Sequence, residues 1–580
     1  MLKLGRFSNF CTLQLHLLCD SSMRKLCTLL CALITVTCYG QTTYLPSGSE
    51  EKKLLDRLET LSGSFSELLF LSTQPVNRKD MVEYLFNEKS NFYDRNLSNT
   101  DNYNINRAMR LSSEWLEGAA YGTKLGGNAW GNVFYKHTDL LEINKGDFFL
   151  AINPVLSAEG AWQQHNSNSE ALFRSTQGIS LRAKAGRVAG LAFQVANNYE
   201  QVPAFYSHYI DRNQSLPRAV SYTKSGNAYQ YLSLNGYLDF SLIKNHMNLT
   251  MGYDRHFIGD GMRSVFLSDF AAPMPFVRLN TKIWKLQYQN LYLVAEPQFP
   301  TDPGMRAGKY KYLSAHHLSM NITRWLNVGL FETVTFSRDG HFEFGYMNPI
   351  IFYRAVERGM GSPDKVAIGI NAKVLTWNAL QWYGQFLINE FRTKEFFSNK
   401  GYVNTKWGAQ LGFKYFNAFK LDNLDLQAEL NIVRPYTFQH YSEANYSHNN
   451  LPLAHPLGAG FREFIGDVRY QPVAKLLLHF RAAFYQNGVD TGGLNLGNDI
   501  LKNYRNFPSP DGVHIINGLP AKCIMLNLRV SYELRPGLAF DIGGMYRNYQ
   551  TDQQLFTQDK TLSIYGGIRL NAHWKDYALF

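Results

Sequence analysis

The stretch Met247-Asn-Leu-Thr-Met-Gly-Tyr-Asp254 decides the fold. Its apolar residues, Met247, Leu249, Met251 and Tyr253, fall on alternate positions, and Asn248, Thr250, Gly252 and Asp254 take the others. A period of two gives a strand one apolar and one polar face, as a wall between lipid and water requires. Val277 to Ile283 repeats the pattern with Arg278, Asn280 and Lys282 on the polar side, and Leu286 to Val294 follows a tight turn at Trp284. Between the first two strands stands the loop Ile258-Gly-Asp-Gly-Met-Arg-Ser-Val-Phe-Leu-Ser-Asp269. Its Val265, Phe266 and Leu267 predict a loop that folds back against protein. Gly259 and Gly261 flank Asp260 and predict a tight turn of positive φ that aims Asp260 and Arg263 in one direction.

The alternation continues outward from this stretch. Leu424, Leu426, Ala428, Leu430 and Ile432 oppose Asp425, Gln427, Glu429 and Asn431, and Ile524, Leu526, Leu528 and Val530 oppose Asn527, Arg529 and Ser531. Short turns punctuate it: Lys184-Ala-Gly-Arg187, Lys244-Asn245, Trp284-Lys285, Trp325-Leu-Asn327, Thr376-Trp-Asn378, Lys420-Leu-Asp-Asn423, Val473-Ala-Lys475 and Arg535-Pro-Gly537. Those eight hairpins, a first strand near Phe148–Leu156 and a last one near Leu562–Phe580 predict about 18 antiparallel strands. Val133 to Ile143 is a candidate for one more. Long loops alternate with the short turns, at about 200–226, 258–275, 339–363, 436–460 and 488–520. The fold class is therefore an all-β transmembrane barrel, with the long loops extracellular and the short turns periplasmic.

Composition agrees. Charged residues are 18% and aromatics 14% of the 580 residues, and the mean hydropathy is −0.27. After residue 40 no apolar run reaches helix-spanning length, which excludes a helical membrane protein. Alternation sustained over hundreds of residues argues against a soluble sandwich. The last strand carries Leu562, Ile564, Ile568, Leu570, Ala572, Trp574 and Phe580 on one parity. A strand ending on a terminal Phe580 resembles the signal read by the outer-membrane barrel assembly machinery, which becomes an expected partner beside outer-membrane lipid.

The start has secretory form: basic Met23-Arg-Lys25, apolar Leu26–Val36, and Cys38-Tyr-Gly40 before Gln41. Residues 1–40 read as a leader, with translation expected from Met23. Acylation at Cys38 is the competing reading, although Thr35-Val-Thr37 lacks the usual Leu. Five of six cysteines lie in the leader, so Cys523 alone cannot form an intrachain disulfide or Cys-based metal site. Residues 41–130 do not alternate. Leu54, Leu55, Leu58 and Leu61 mark a helix after Ser47-Gly-Ser49; Asn77 caps a second over Arg78–Asn87; a third is expected over Asn104–Leu116. This helical segment should sit at or in the periplasmic mouth as a plug, before a barrel over 131–580.

Several blocks resemble a known family. Phe257-Ile-Gly-Asp-Gly-Met-Arg-Ser264 with Leu267-Ser-Asp269 and Leu279-Asn-Thr-Lys-Ile-Trp284 is similar to the capsule assembly family named for Wzi, especially its branch of gliding-motility outer-membrane proteins. Tyr346-Met-Asn-Pro-Ile-Ile-Phe-Tyr-Arg354 with Gly361-Ser-Pro-Asp364, Phe149-Leu-Ala-Ile-Asn-Pro154 and Arg78-Lys79 match further family stretches. The resemblance implies an 18-stranded outer-membrane barrel with an N-terminal helical bundle on the periplasmic side. It also implies lectin-like attachment or assembly of capsular polysaccharide at the cell surface. A motility component and a diffusion channel are the alternatives.

Sugar recognition uses aromatic faces and planar polar groups, and Arg forks suit the carboxylates of acidic sugars. The loops at 258–275 and 338–364 offer Asp260, Arg263, Asp269, Arg338, Glu343, Tyr346, Asn348, Tyr353 and Arg354 as glycan-binding candidates, with His341, Glu357 and Arg358 beside them. The competing reading is that these charges pair with each other and stiffen the loops. Ser264, His256, Asp260 and Asp269 are near in sequence, but no motif fixes a nucleophile–base geometry, and no enzyme is expected. His316 and His317 point to opposite faces of a strand and cannot share a metal; no metal or cofactor is expected. A processed charge near +8 without a basic run does not predict nucleic-acid binding.

Overall fold

The computed structural model describes residues 43–91, 97–116, 139–186, 189–296, 310–338, 342–349, 364–390, 393–396, 400–551 and 559–577. Eighteen antiparallel strands close into one barrel. The first six are β1 Phe148–His165, β2 Asn168–Ala185, β3 Ala189–Gln201, β4 Ala228–Ile243, β5 Met247–Asp254 and β6 Met274–Ile283. They continue with β7 Leu286–Ala295, β8 Lys311–Asn321, β9 Leu326–Phe336, β10 Lys365–Thr376, β11 Leu380–Glu390 and β12 Lys406–Tyr415. β13 Leu424–Val433, β14 Phe461–Val473, β15 Leu476–Val489, β16 Leu519–Arg535, β17 Leu538–Thr551 and β18 Asp559–Leu570 complete the wall. β18 pairs with β1, which leaves no open edge. All eight expected short turns connect strands at one end.

Alternation sorts the side chains as the period requires. Leu411, Phe464, Leu528, Ile542 and Ile564 are 49–60% exposed on the outside, while Arg278, Lys373, Glu429, Asp467 and Arg529 are buried on the inside. No helix among the described residues is long and apolar enough to cross a membrane; the strands cross it, their backbone groups bonded strand to strand around the closed wall. At the short-turn rim Trp284, Trp325, Trp377 and Phe419 are exposed, the level at which aromatic side chains straddle lipid and water.

Three helices lie across the short-turn mouth: α1 Glu50–Ser62, α2 Arg78–Asn91 and α3 Asn99–Arg110. Ser49 caps α1 by accepting from Lys52 N, and Asn77 Oδ1 accepts from Asp80 N at 3.1 Å at the start of α2. The third helix begins earlier than expected, because Ser98 and Asp101 form a reciprocal capping box; the residues near Leu116 form only a short 3-10 turn, Ser113–Trp115. Leu54, Leu55, Leu58, Met81, Leu85, Ile105 and Met109 form their common core. Polar side chains tie the helices to the rim. Tyr103 donates to Glu533, Asn104 to Gln471 and Lys79 to Asn245, at 2.7–3.0 Å. Arg57 pairs with both Asp101 and Asp425.

The end of the barrel departs from expectation. β18 stops at Leu570, and the wall does not run on toward Phe580, which lies outside the described residues. Asn571 takes a left-handed conformation (φ 52°), a state Asn tolerates better than most residues. Residues 572–577 then enter the lumen. Trp574 packs on Tyr565 under Arg529, Asp576 pairs with Arg481 at 2.7 Å, and Lys575 and Tyr577 both engage Glu200. The shared parity of Ala572 and Trp574 with Ile564 and Ile568 thus does not mean a shared lipid face. The slot beside Phe148–Ile152 is filled instead by Leu141–Lys145, which pairs with β1 in a hairpin. Of the expected Val133–Ile143 addition, residues 133–138 lie outside the described residues, and Leu141–Ile143 belong to this strand, which stands outside the eighteen.

Candidate functional site

The loop between β5 and β6 plunges into the lumen. Its Phe257–Ile258 pairs antiparallel with Thr73–Gln74, from the connection between α1 and α2. Val265, Phe266 and Leu267 are wholly buried, and Phe266 stacks on Phe331 of the wall at 4.6 Å. Gly369 leaves the space for that ring, since a Cβ there would meet Phe266 at 2.4 Å. The loop between β13 and β14 descends beside it: Tyr446 donates to Phe266 O at 2.8 Å and Ser268 N to Leu453 O at 2.7 Å. Asn449 and Asn450 in turn donate to Ala219 O and Asn213 O of the β3–β4 loop. That loop carries a further helix, Ala204–Asn213. Three long loops therefore interlock inside the barrel.

Asp260 and Arg263 lie at the centre of this plug, 3% and 5% exposed. Asp260 accepts from Ser72 Oγ at 2.9 Å and pairs with Lys373 at 3.2 Å. Arg263 pairs with Glu463 at 3.1 Å, and His455 Nε2 holds the other Glu463 oxygen at 2.7 Å. Glu429 accepts from Met262 N and Arg263 N, and from Tyr383 OH. Expected as glycan contacts, these two residues are instead sealed: their charges meet wall charges from β10 and β14, because a charge in a filled lumen must be paired. The glycines act differently too. Gly259 (φ 158°) is close to extended and Gly261 has no positive φ; a Cβ on Gly261 would stand 2.2 Å from Glu429 Oε2. Close approach selects glycine here.

The other candidates separate. Asp269 sits higher, its backbone carbonyl accepting from Arg255 at 3.0 Å. Arg338 grips Asp364 with two bonds of 2.7 and 2.8 Å, and Tyr346 OH donates to the same carboxylate at 2.7 Å. Glu343 stands 3.8 Å from Arg338. Tyr346 and Asn348 lie against the outer wall. Tyr353, Arg354, His341, Glu357 and Arg358 fall outside the described residues. Ser264 turns its hydroxyl to Ile258 O and Gln385, leaving no catalytic pairing with His256.

A group that sequence reading missed stands at the long-loop end. Lys406, the first residue of β12, lies 3.5 Å from the centre of the Tyr504 ring. Arg505 lies 3.7 Å over Tyr441, and His440 packs against Tyr441 at 4.4 Å and Tyr504 at 6.0 Å. Cross-loop bonds fix the platform: Gln439 and Asn495 exchange amide bonds, and Asn503 donates to Tyr441 O at 3.0 Å. Arg505 is exposed, and Tyr441 and Tyr504 are half-buried. Burial with Lys365 and Lys406 nearby holds the His440 imidazole down at about 3, so it is neutral at physiological pH and the exposed positive charge here is that of Arg505. Nothing in sequence joins residues from two separate loops and the end of a strand.

A closed 18-stranded barrel with an apolar outer belt and a polar, filled interior is an outer-membrane β-barrel. The sequence matches no family model and no curated protein. Among solved structures it is similar to Wzi of Escherichia coli, described as an outer-membrane protein involved in group 1 capsule assembly and a carbohydrate-binding β-barrel. That likeness has a TM-score of 0.55 at 12% identity, over 92% of this chain and 99% of that one. OprD of Pseudomonas aeruginosa matches at a TM-score of 0.39 and 12% identity, over 72% of this chain and 95% of that one. At such identity the likeness to Wzi shows the fold alone.

Proposed function

We propose that this barrel holds a surface polysaccharide at its extracellular face, as a binding protein for attachment or assembly of a capsule and not as a channel or an enzyme. The observation that carries this reading is the filled lumen. Helices close one mouth, three loops interlock in the middle, and residues 572–577 occupy more of the interior, so the outward surface is where a polymer can be met. There the half-buried Tyr441 and Tyr504 rings stand beside the exposed Arg505, which combines aromatic surface for sugar C–H groups with a cation for an acidic sugar. The similar fold of Wzi, a carbohydrate-binding barrel, supports the same reading.

The test is binding of acidic capsular polysaccharide to purified folded barrel. Losing one charge-assisted hydrogen bond, worth roughly 1.5–3 kcal/mol, predicts that Arg505→Ala weakens binding about tenfold or more. Tyr504→Ala should weaken it as well, with the folded fraction on heat-modifiability gels unchanged. Equal polysaccharide bound per folded barrel in wild type and both variants would remove this surface from the function.

A further inference from the structure

On β7 to β10 the lumen face is fixed by Phe331, stacked on Phe266, and by Lys365, which donates to Thr437 O and Gln439 O of the inward loop. The opposite parity must face lipid. In register across that outer face stand Asn290, His316 and Glu332, with Ser314 beside Val334. Polar and ionisable groups on a lipid-facing wall are rare. All four are nonetheless 0–4% exposed, whereas their outward neighbours Leu330 and Ile368 are 45% and 49% exposed.

Residues 342–349, from the connection between β9 and β10, lie against this face. Phe342 and Tyr346 pack with Tyr312, Phe336, Val334 and Val366 into a cluster on the outside of the barrel. Tyr292 OH on the outer face donates to Met347 O at 3.0 Å, and His316 hydrogen-bonds to the backbone of Asn348. His316 is the sixth of the eleven residues of β8, so the segment reaches halfway down the wall. Arg338 and Tyr346, both bonded to Asp364, fasten its upper end. Its most exposed side chains are apolar, Phe344 at 78% and Met347 at 45%, while the partly exposed Glu343 stays beside Arg338 at the upper end.

We propose that residues 342–349 form an external strap that lies among the acyl chains of the outer leaflet, with Phe344 and Met347 in lipid. Irregular backbone survives at membrane depth only where protein satisfies it. His316, at the centre of the polar spot, bonds to the backbone of Asn348 and Tyr292 to that of Met347, which supplies such partners. Phe344 and Met347 then continue the apolar belt of Leu330 and Ile368 across it, which is why lipid, rather than a second copy of the chain, is the occupant.

The test places the photoreactive amino acid p-benzoylphenylalanine at Phe344 in the full chain and irradiates isolated outer membranes. Expected is a lipid adduct on the barrel, and none with the same probe at the exposed Ser442 of the extracellular loop. A cross-link to a second protein chain at position 344, or no lipid adduct there, overturns the proposal. With the probe in place, His316→Leu should lower adduct per folded barrel at least fivefold by releasing the strap. An unchanged yield would reject the role of the polar spot.

Discussion

Arg263 shows how a residue chosen for its chemistry changes meaning with its surroundings. Its guanidinium and backbone amide both answer wall carboxylates, Glu463 and Glu429, and its carbonyl accepts from Gln410 at 2.9 Å. Removing one partner of a buried pair costs about 3–5 kcal/mol, because the other charge is left in a dry interior. Arg263→Ala should therefore lower the temperature at which the folded gel band is lost, while polysaccharide bound per surviving barrel stays normal. Arg263→Met with Glu463→Gln should recover most of that loss. The opposite result, unchanged heat stability with tenfold weaker binding, would return Arg263 to the ligand.

Among the elements, the segment after β18 departs furthest from its pattern. A continued strand needs a partner, and Leu141–Lys145 takes that edge. The polar Lys575 and Asp576 have Glu200 and Arg481 to meet inside and none in lipid. Lys575→Ala leaves the buried Glu200 with the hydroxyls of Tyr231 and Tyr577 and the charge of Arg174 opposite it among the described residues, a loss on the order of 3 kcal/mol. Thermal melts followed by circular dichroism should show it as a lower midpoint with no change in strand content. An unaltered midpoint would mean that residues 572–577 contribute nothing to holding the barrel.

For the whole molecule, closure is shared. The helices bond to the short turns, yet the loop between β5 and β6 fills the middle through Val265 to Leu267, and the β13–β14 loop locks it from above. Intact protein in planar bilayers should show no steady conductance. Deleting residues 43–116 should leave it nearly closed, and conductance should rise only when residues 257–269 are shortened as well. Full opening on helix deletion alone would show that the loops do not hold their place without the Thr73–Gln74 strand.

The wall was legible in the sequence because alternation and tight turns are local: each strand states its own two faces, and eight short turns set the count. Asn77 and Ser49 announced helix starts for the same reason, a cap being a contact a few residues long. The apolar run Val265–Leu267 correctly told of a loop returning to protein. Which charges would face each other was not written anywhere local. Asp260 meets Lys373, Arg263 meets Glu463, and Arg505 joins Tyr441 only after a closed barrel brings distant strands and loops together. Sequence period fixed what each strand could face; the filled lumen decided which polar residues were sealed inside and which were left at the cell surface.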